Sequence, residues 1–97
     1  VWPGSNGYVH LRIYDSNLAD TRNEGYSATM EIYNSTIGIL AAYNGGLVYV
    51  ENSIINDAIE VKDTGTRIYG FNISGNYEIL ETEGGKYIQV EKSGIPW

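Results

Sequence analysis

The stretch EIYNSTIGI, Glu31–Ile39, contains the pattern that decides the fold of this chain. A β-branched apolar residue, Ile32, is followed two positions later by Asn34, a residue type that tolerates a left-handed backbone at low cost. A second β-branched apolar residue, Ile37, follows three positions further on. The stretch is either one ordinary strand that ends in a turn or one rung of a repeat, and the rest of the chain distinguishes the two.

Five segments of the chain share this pattern. They are LRIYDSNLAD from Leu11, MEIYNSTIGI from Met30, VYVENSIIND from Val48, TRIYGFNISG from Thr66 and IQVEKSGIPW from Ile88. Their central apolar residues, Ile13, Ile32, Val50, Ile68 and Val90, recur at spacings of 19, 18, 18 and 22 residues. A period of about 20 residues is typical of a solenoid.

The alignment predicts three columns of residues that face the interior. These are Leu11, Met30, Val48, Thr66 and Ile88; Ile13, Ile32, Val50, Ile68 and Val90; and Leu18, Ile37, Ile55, Ile73 and Ile95. The turn column holds Asp15, Asn34, Asn52, Gly70 and Lys92. The first four are residue types that favour a positive φ, so we expect a sharp turn at that column.

A second short strand follows the turn in each central rung. It begins near Leu40, Ala58 and Asn76 and ends in a glycine-containing turn. In this alignment the last of these rungs is four residues longer than the others, and we expect the extra residues in the loop 81–86. Solenoids tolerate insertions at a corner.

This periodicity resembles the right-handed parallel β-helix of the pectate-lyase type. The resemblance covers Leu11–Ile95 and rests on spacing, without a catalytic signature. It implies an all-β fold in which residues 1–97 form a single β-solenoid domain of about five rungs. The alternative from the strand and turn signals is an antiparallel β-sandwich.

Composition narrows the functional classes. The chain has 97 residues, no cysteine and a formal charge of −6, from twelve acidic and six basic side chains. Attraction to nucleic acid is therefore disfavoured, and no apolar run is long enough to insert in a membrane. We expect no cofactor. The first residue is Val1, so we expect a processed or excised chain.

Two sequons indicate an extracellular location, on a secreted protein or at a cell or virion surface. Asn34-Ser35-Thr36 and Asn72-Ile73-Ser74 match the acceptor pattern for N-linked glycan. The alignment places Asn34 in the turn column and Asn72 two residues later, so Asn34 is the better acceptor candidate. The alternative for either residue, which the sequence favours, is a simple turn residue.

An outward tyrosine face is the candidate glycan contact. It comprises Tyr14, Tyr33, Tyr49 and Tyr69. Aromatic rings stack on apolar sugar faces. The competing interpretation is structural, with tyrosines stacking between rungs and Arg12 pairing with Glu31 to stabilise the sheet.

Catalysis is a low-ranking alternative. A polysaccharide lyase of the type that the resemblance suggests needs clustered acids for calcium and a basic residue. The densest acids are Asp57, Glu60, Asp63, Glu78, Glu81 and Glu83, with Lys62 and Lys86 nearby, but the preceding rung carries no aligned acid. His10 has no partner fixed by the sequence, so we predict a surface residue, no enzyme and no metal site.

The termini suggest self-assembly. The rungs run almost to both ends, and each end carries a Trp beside a Pro, in VWPGSNGY and SGIPW. An uncapped ladder leaves unpaired strand edges, and unlike head and tail surfaces generate open filaments. We therefore expect a secreted structural subunit that stacks end to end, with an interface at Trp2, Pro3, Ile95, Pro96 and Trp97. The alternative is a glycan- or receptor-binding module of a larger β-helical adhesin or phage tail spike.

Overall fold

A computed structural model describes residues 9–25 and 28–97. Within these ranges the chain is a parallel β-solenoid of about four turns, without helix. Its strands are β1 Val9–Tyr14, β2 Asn17–Asn23, β3 Ala28–Tyr33, β4 Thr36–Ala42, β5 Leu47–Lys62, β6 Arg67–Ser74, β7 Glu78–Thr82 and β8 Lys86–Gln89. No helix in the described part is long and apolar enough to cross a membrane.

The strands form two faces of the solenoid. The first sheet contains β1, β3, the first half of β5, β6 and β8, in that order. The second sheet contains β2, β4, the second half of β5 and β7. Because every pairing is parallel, the antiparallel sandwich is excluded and the predicted β-solenoid is confirmed.

The core lies between the two sheets and begins as the sequence predicts. Leu11 pairs with Met30 and Met30 with Val48, and Ile13, Ile32 and Val50 form the next column. On the second sheet Leu18, Ile37 and Ile55 align in the same way. Ile13, in the first turn, is 8% exposed, whereas the buried members of this core from Met30 onwards are 0% exposed. Each of these later residues is covered by a neighbouring turn of the solenoid on both sides.

The predicted register of the last two rungs is wrong by two residues in β6. Val48 pairs with Ile68 and Val50 with Gly70, so Thr66 and Ile68 do not lie in the predicted columns. In the final rung Tyr87 pairs with Ile68 and takes the next position of the first inward column. Ile88 and Ile95, which the alignment predicts to face the interior, are exposed. The cause is packing: a Cβ on Gly70 would lie 2.2 Å from the Tyr87 hydroxyl, so the absence of a side chain at Gly70 makes room for the tyrosine.

The turn column shifts with the register. Asp15, Asn34 and Asn52 have positive φ as predicted, and the fourth member is Asn72 rather than Gly70. Asn34 and Asn72 are therefore equivalent positions, contrary to the sequence alignment. Lys92 is not among the positive-φ residues.

The predicted four-residue insertion in loop 81–86 is absent. Three equivalent turns close the second sheet, in which the amides of Gly46, Thr66 and Gly85 donate to the carbonyls of Tyr43, Asp63 and Thr82 at 3.1, 3.1 and 3.0 Å. The last turn is thus as short as the first. The apparent insertion came from aligning the first-sheet strand of the last rung too far along the chain.

Candidate functional site

The C-terminal end of the solenoid presents open strand edges. Among the described residues β7 pairs only with β5 and β8 only with β6. All five residues of β7 are exposed, including Ile79 at 47% and Leu80 at 44%. Ile88 of β8 is 37% exposed. This end therefore combines backbone groups able to accept another strand with apolar side chains that nothing in the described part covers.

The N-terminal end has the same arrangement of strands. In the described part of the chain β1 pairs only with β3, and β2 only with β4. Two of the predicted interface residues, Trp2 and Pro3, lie outside the described residues. Polar side chains dominate the described edge, with His10, Arg12 and Arg22 all exposed.

The residues after β8, 90–97, form what we call the C-terminal strap. The Ser93 hydroxyl donates to Glu51 Oε1 at 2.6 Å, and the Gly94 amide donates to the Tyr49 hydroxyl at 2.8 Å. The Trp97 ring packs against Tyr69 with centroids 5.9 Å apart. The predicted interface residues Ile95, Pro96 and Trp97 therefore belong to a segment that returns over the outer side of the first sheet.

The predicted tyrosine face exists, with a changed membership. The Tyr14 and Tyr33 rings stack at 5.0 Å and 12°, and Tyr33 tilts against Tyr49 at 6.0 Å. Tyr69 pairs with Tyr49 and not with the Tyr14 column. Tyr49 is fully buried, because Tyr33 and the strap pack against it, so a glycan could not reach this side chain.

Glu31 lies at the centre of a polar cluster on the same face. Its carboxylate accepts hydrogen bonds from Arg12 Nε at 3.1 Å, from Tyr33 Oη at 2.5 Å and from His10 Nε2. The predicted Arg12–Glu31 pair is confirmed. Burial raises the pKa of Glu31, but the Tyr33 and His10 hydrogen bonds and the Arg12 charge outweigh it and leave the pKa below its usual value. This geometry supports the structural interpretation of the face.

Both sequon asparagines lie at exposed turns. Asn34 and Asn72 have φ values of 53° and 54° and are exposed. The Asn72 side-chain Nδ2 donates to Asn52 Oδ1 at 2.8 Å.

A groove on the outer surface of the second sheet was missed by sequence reasoning. It has a volume of about 500 Å³. Its lining comprises Arg22, Glu24, Tyr43, Asn44, Glu60, Val61, Lys62, Asp63, Leu80 and Thr82. The sequence feature that could have predicted this groove is Tyr43, the lone aromatic residue in LAAYNGG. Tyr43 takes an outward position between charged residues of the neighbouring rungs.

The acidic residues that are densest in the sequence do not come together at one site. Glu60 and Asp63 lie in the groove, whereas Glu78 and Glu81 lie on the β7 edge. Across residues 9–25 and 28–97, no three His, Asp or Glu side chains are grouped to hold a metal ion. His10 is exposed and contacts Thr29 as well as Glu31.

Comparisons of the chain with protein-family models, curated proteins and solved structures found no match.

Proposed function

We propose that this protein is a structural subunit that stacks end to end, by strand addition, into an extracellular filament. The observation that supports it is the exposed β7 and β8 edge with its apolar side chains Ile79, Leu80 and Ile88. Strand edges of this kind pair with strands of another chain, with backbone hydrogen bonds supplying affinity. The occupant we propose is the β1 and β2 edge of a second copy.

The register of such stacking follows from the repeat. Within the chain, Arg12, Glu31, Tyr49, Tyr69 and Ile88 form one outward column. A second copy that continues the ladder places its Arg12 opposite Ile88, its Leu11 opposite Tyr87, and its Thr21 opposite Ile79. The strands then lie about 4.8 Å apart, as they do within a sheet.

Disulfide cross-linking tests this register, because the chain contains no cysteine of its own. Arg12→Cys and Ile88→Cys are made as two separate variants and mixed under mild oxidation. Parallel neighbours about 4.8 Å apart satisfy the Cα separation that a disulfide needs, so a covalent dimer of the two variants is expected.

The matched control replaces Arg12→Cys by Tyr14→Cys, which lies on the same strand and face but two residues out of register. Equal cross-linking of both pairs would contradict the ladder. Electron microscopy of the wild-type protein over a concentration series should show filaments with a layer line near 4.8 Å. Dispersed monomers at every concentration would overturn the proposal.

An extracellular location and N-linked glycan at Asn34 and Asn72 belong to the same proposal. The support is the exposed turn position of both asparagines. Secretion from a eukaryotic host should add two glycans that an amidase removes, and Asn34→Gln with Asn72→Gln should abolish the mass difference. We also infer the pectate-lyase type of right-handed β-helix from the turn length of 18 to 20 residues and the asparagine turns.

A glycan- or receptor-binding module of a larger β-helical protein is the second candidate. The specific observation for it is the stacked Tyr14–Tyr33 pair, in which Tyr14 is 55% exposed. Under this alternative the isolated chain binds oligosaccharide through Tyr14 and does not form filaments. Catalysis has no comparable support in the geometry, and we propose no reaction.

A further inference from the structure

We propose that the groove on the second sheet, centred on Tyr43, binds a neutral saccharide. This site shares Leu80 with the β7 stacking edge but lies away from the tyrosine face. It lies on the outer surface of the opposite sheet, and its lining comes from all four strands of that sheet or the turns after them.

The shape of the groove follows from the column register. Arg22, Ala41, Glu60 and Leu80 occupy successive positions of one outward column. Ala41 is fully buried between the longer Arg22 and Glu60, and Tyr43, two residues later in the chain, lines the groove with both of them. A volume of about 500 Å³ lies within the range of small-molecule sites, about 300 to 1,000 Å³.

Tyr43 supplies a fixed aromatic surface. Its backbone amide donates to the Asn23 carbonyl at 2.8 Å, and its hydroxyl donates to Glu60 Oε1 at 3.2 Å. Burial and the neighbouring Glu60 carboxylate both raise the pKa of Tyr43, so the phenol stays neutral at physiological pH. An aromatic ring held at both ends can stack on the C–H face of a sugar without losing much conformational freedom.

The polar groups of the groove carry mixed charge. Acidic Glu24, Glu60 and Asp63 surround the same space as basic Arg22 and Lys62. Arg22 is held by Asp20 at 3.0 Å, and Lys62 lies 3.6 Å from Glu83. Three acids against two bases leave the lining with a formal charge of −1, which disfavours an anionic ligand. Alternating donors and acceptors beside an aromatic ring instead match the hydroxyl groups of a neutral sugar.

The Asn44 corner makes one wall of the groove rigid. The Asn44 amide donates to Asp63 Oδ2 at 2.9 Å, and its side chain donates to the Glu24 carbonyl at 3.3 Å. These bonds link three successive turns of the solenoid, so the wall is preformed. A preformed polar wall reduces the entropy lost when a ligand binds.

Titration with uncharged oligosaccharides tests the inference. Linear β-1,4-linked hexasaccharides of glucose, xylose and mannose are added to dilute protein and followed by calorimetry and NMR. We expect at least one to bind in the millimolar range or tighter. Tyr43→Ala should weaken binding about tenfold or more, because the stacking surface is lost. Tyr43→Phe keeps the ring and should change affinity by only about threefold.

Two further variants keep the test decisive. Glu60→Gln preserves side-chain shape, so a weakening with an unchanged melting temperature supports a role in binding rather than folding. Phe71→Ala removes an aromatic ring from the first sheet, outside the groove, and should leave the affinity unchanged. The inference is overturned if no hexasaccharide binds at millimolar concentration, if Tyr43→Ala binds as tightly as the wild-type protein, or if hexagalacturonate binds more tightly than every neutral probe.

Discussion

At the scale of the residue, the turn asparagines explain how each rung changes direction. Asn34, Asn52 and Asn72 have φ values of 53°, 52° and 54°. A side chain with a Cβ atom pays a steric cost in this region, and asparagine is one of the few residue types that adopt it readily. The sequence predicted this chemistry correctly for Asn34 and Asn52, because each follows a strand with the repeat pattern.

We expect Asn34→Ala to lower the free energy of unfolding by about 1 kcal/mol, since alanine cannot relieve the left-handed strain. Asn34→Gly should stay within about 0.5 kcal/mol of wild type, because glycine adopts positive φ freely. Urea denaturation of unglycosylated protein measures both. Equal losses for the two variants would show that the side chain, and not the backbone conformation, matters at this turn.

Glu31 makes the stability of the folded protein depend on pH. Its folded-state pKa lies below the usual value of 4.5, so its contribution is fully present above about pH 4.5 and is lost as the pH falls through the folded pKa. Wild-type protein should therefore lose stability on acidification below pH 4.5. In Glu31→Gln this part of the pH dependence should disappear, which melting temperatures measured between pH 6 and pH 3 would reveal. A parallel pH profile in both proteins would contradict the assignment.

At the scale of the element, a serine ladder joins consecutive rungs at the corner between the sheets. The Ser16 amide donates to Ser35 Oγ, and the Ser35 amide donates to Ser53 Oγ, both at 3.1 Å. The Ser35 hydroxyl donates in turn to the Tyr33 carbonyl at 2.8 Å. The ladder stops at Ile73, which pairs with Ser53 and packs on the core instead.

Ser35→Ala should cost about 1 to 3 kcal/mol of unfolding free energy, because it leaves the Ser16 amide without its acceptor at a half-buried corner. The Tyr33 carbonyl keeps its hydrogen bond from the Asp15 amide at 3.0 Å. Ser16→Ala is the matched control. Its hydroxyl donates only to the exposed Tyr14 carbonyl, so we expect a loss below about 1 kcal/mol. Chemical denaturation of the two variants compares the costs directly, and a larger loss for Ser16→Ala would rule out this explanation.

At the scale of the whole molecule, net charge opposes the proposed stacking. Each chain carries a formal charge of −6, and the stacked register brings Glu78 of one copy opposite Asp20 of the next. Salt screens such repulsion, with a Debye length of about 10 Å at 0.1 M and about 3 Å at 1 M. Backbone hydrogen bonds and apolar contacts at the same edge are much less affected.

Filament mass should therefore increase as sodium chloride is raised from low concentration to about 1 M. Sedimentation of the assembled fraction measures the effect. Ile88→Lys is the comparison variant, because it removes an apolar contact and would bury a charge at the stacking edge. Salt does not screen that desolvation cost, so this variant should assemble poorly at every salt concentration. Assembly that decreases with salt would show that ion pairs, and not strand edges, hold the copies together.

The sequence by itself determined the solenoid, the two-sheet rung and the core columns of the first three turns. The physical reason is that a parallel ladder repeats the same environment at each turn, so Ile13, Ile32 and Val50 carry the signal locally. The Arg12–Glu31 pair followed from the same alignment.

Tertiary structure alone decided the register of the last turns, the burial of Tyr49 and the groove at Tyr43. A shift of two residues preserves the alternation of inward and outward side chains, so the pattern could not distinguish Ile68 from Gly70 as the partner of Val50. In the observed register Gly70 has no side chain and so leaves room for the Tyr87 ring. Likewise, the strap and the groove arise from contacts between residues far apart in the chain, such as Gly94 with Tyr49. A local sequence pattern cannot predict such contacts.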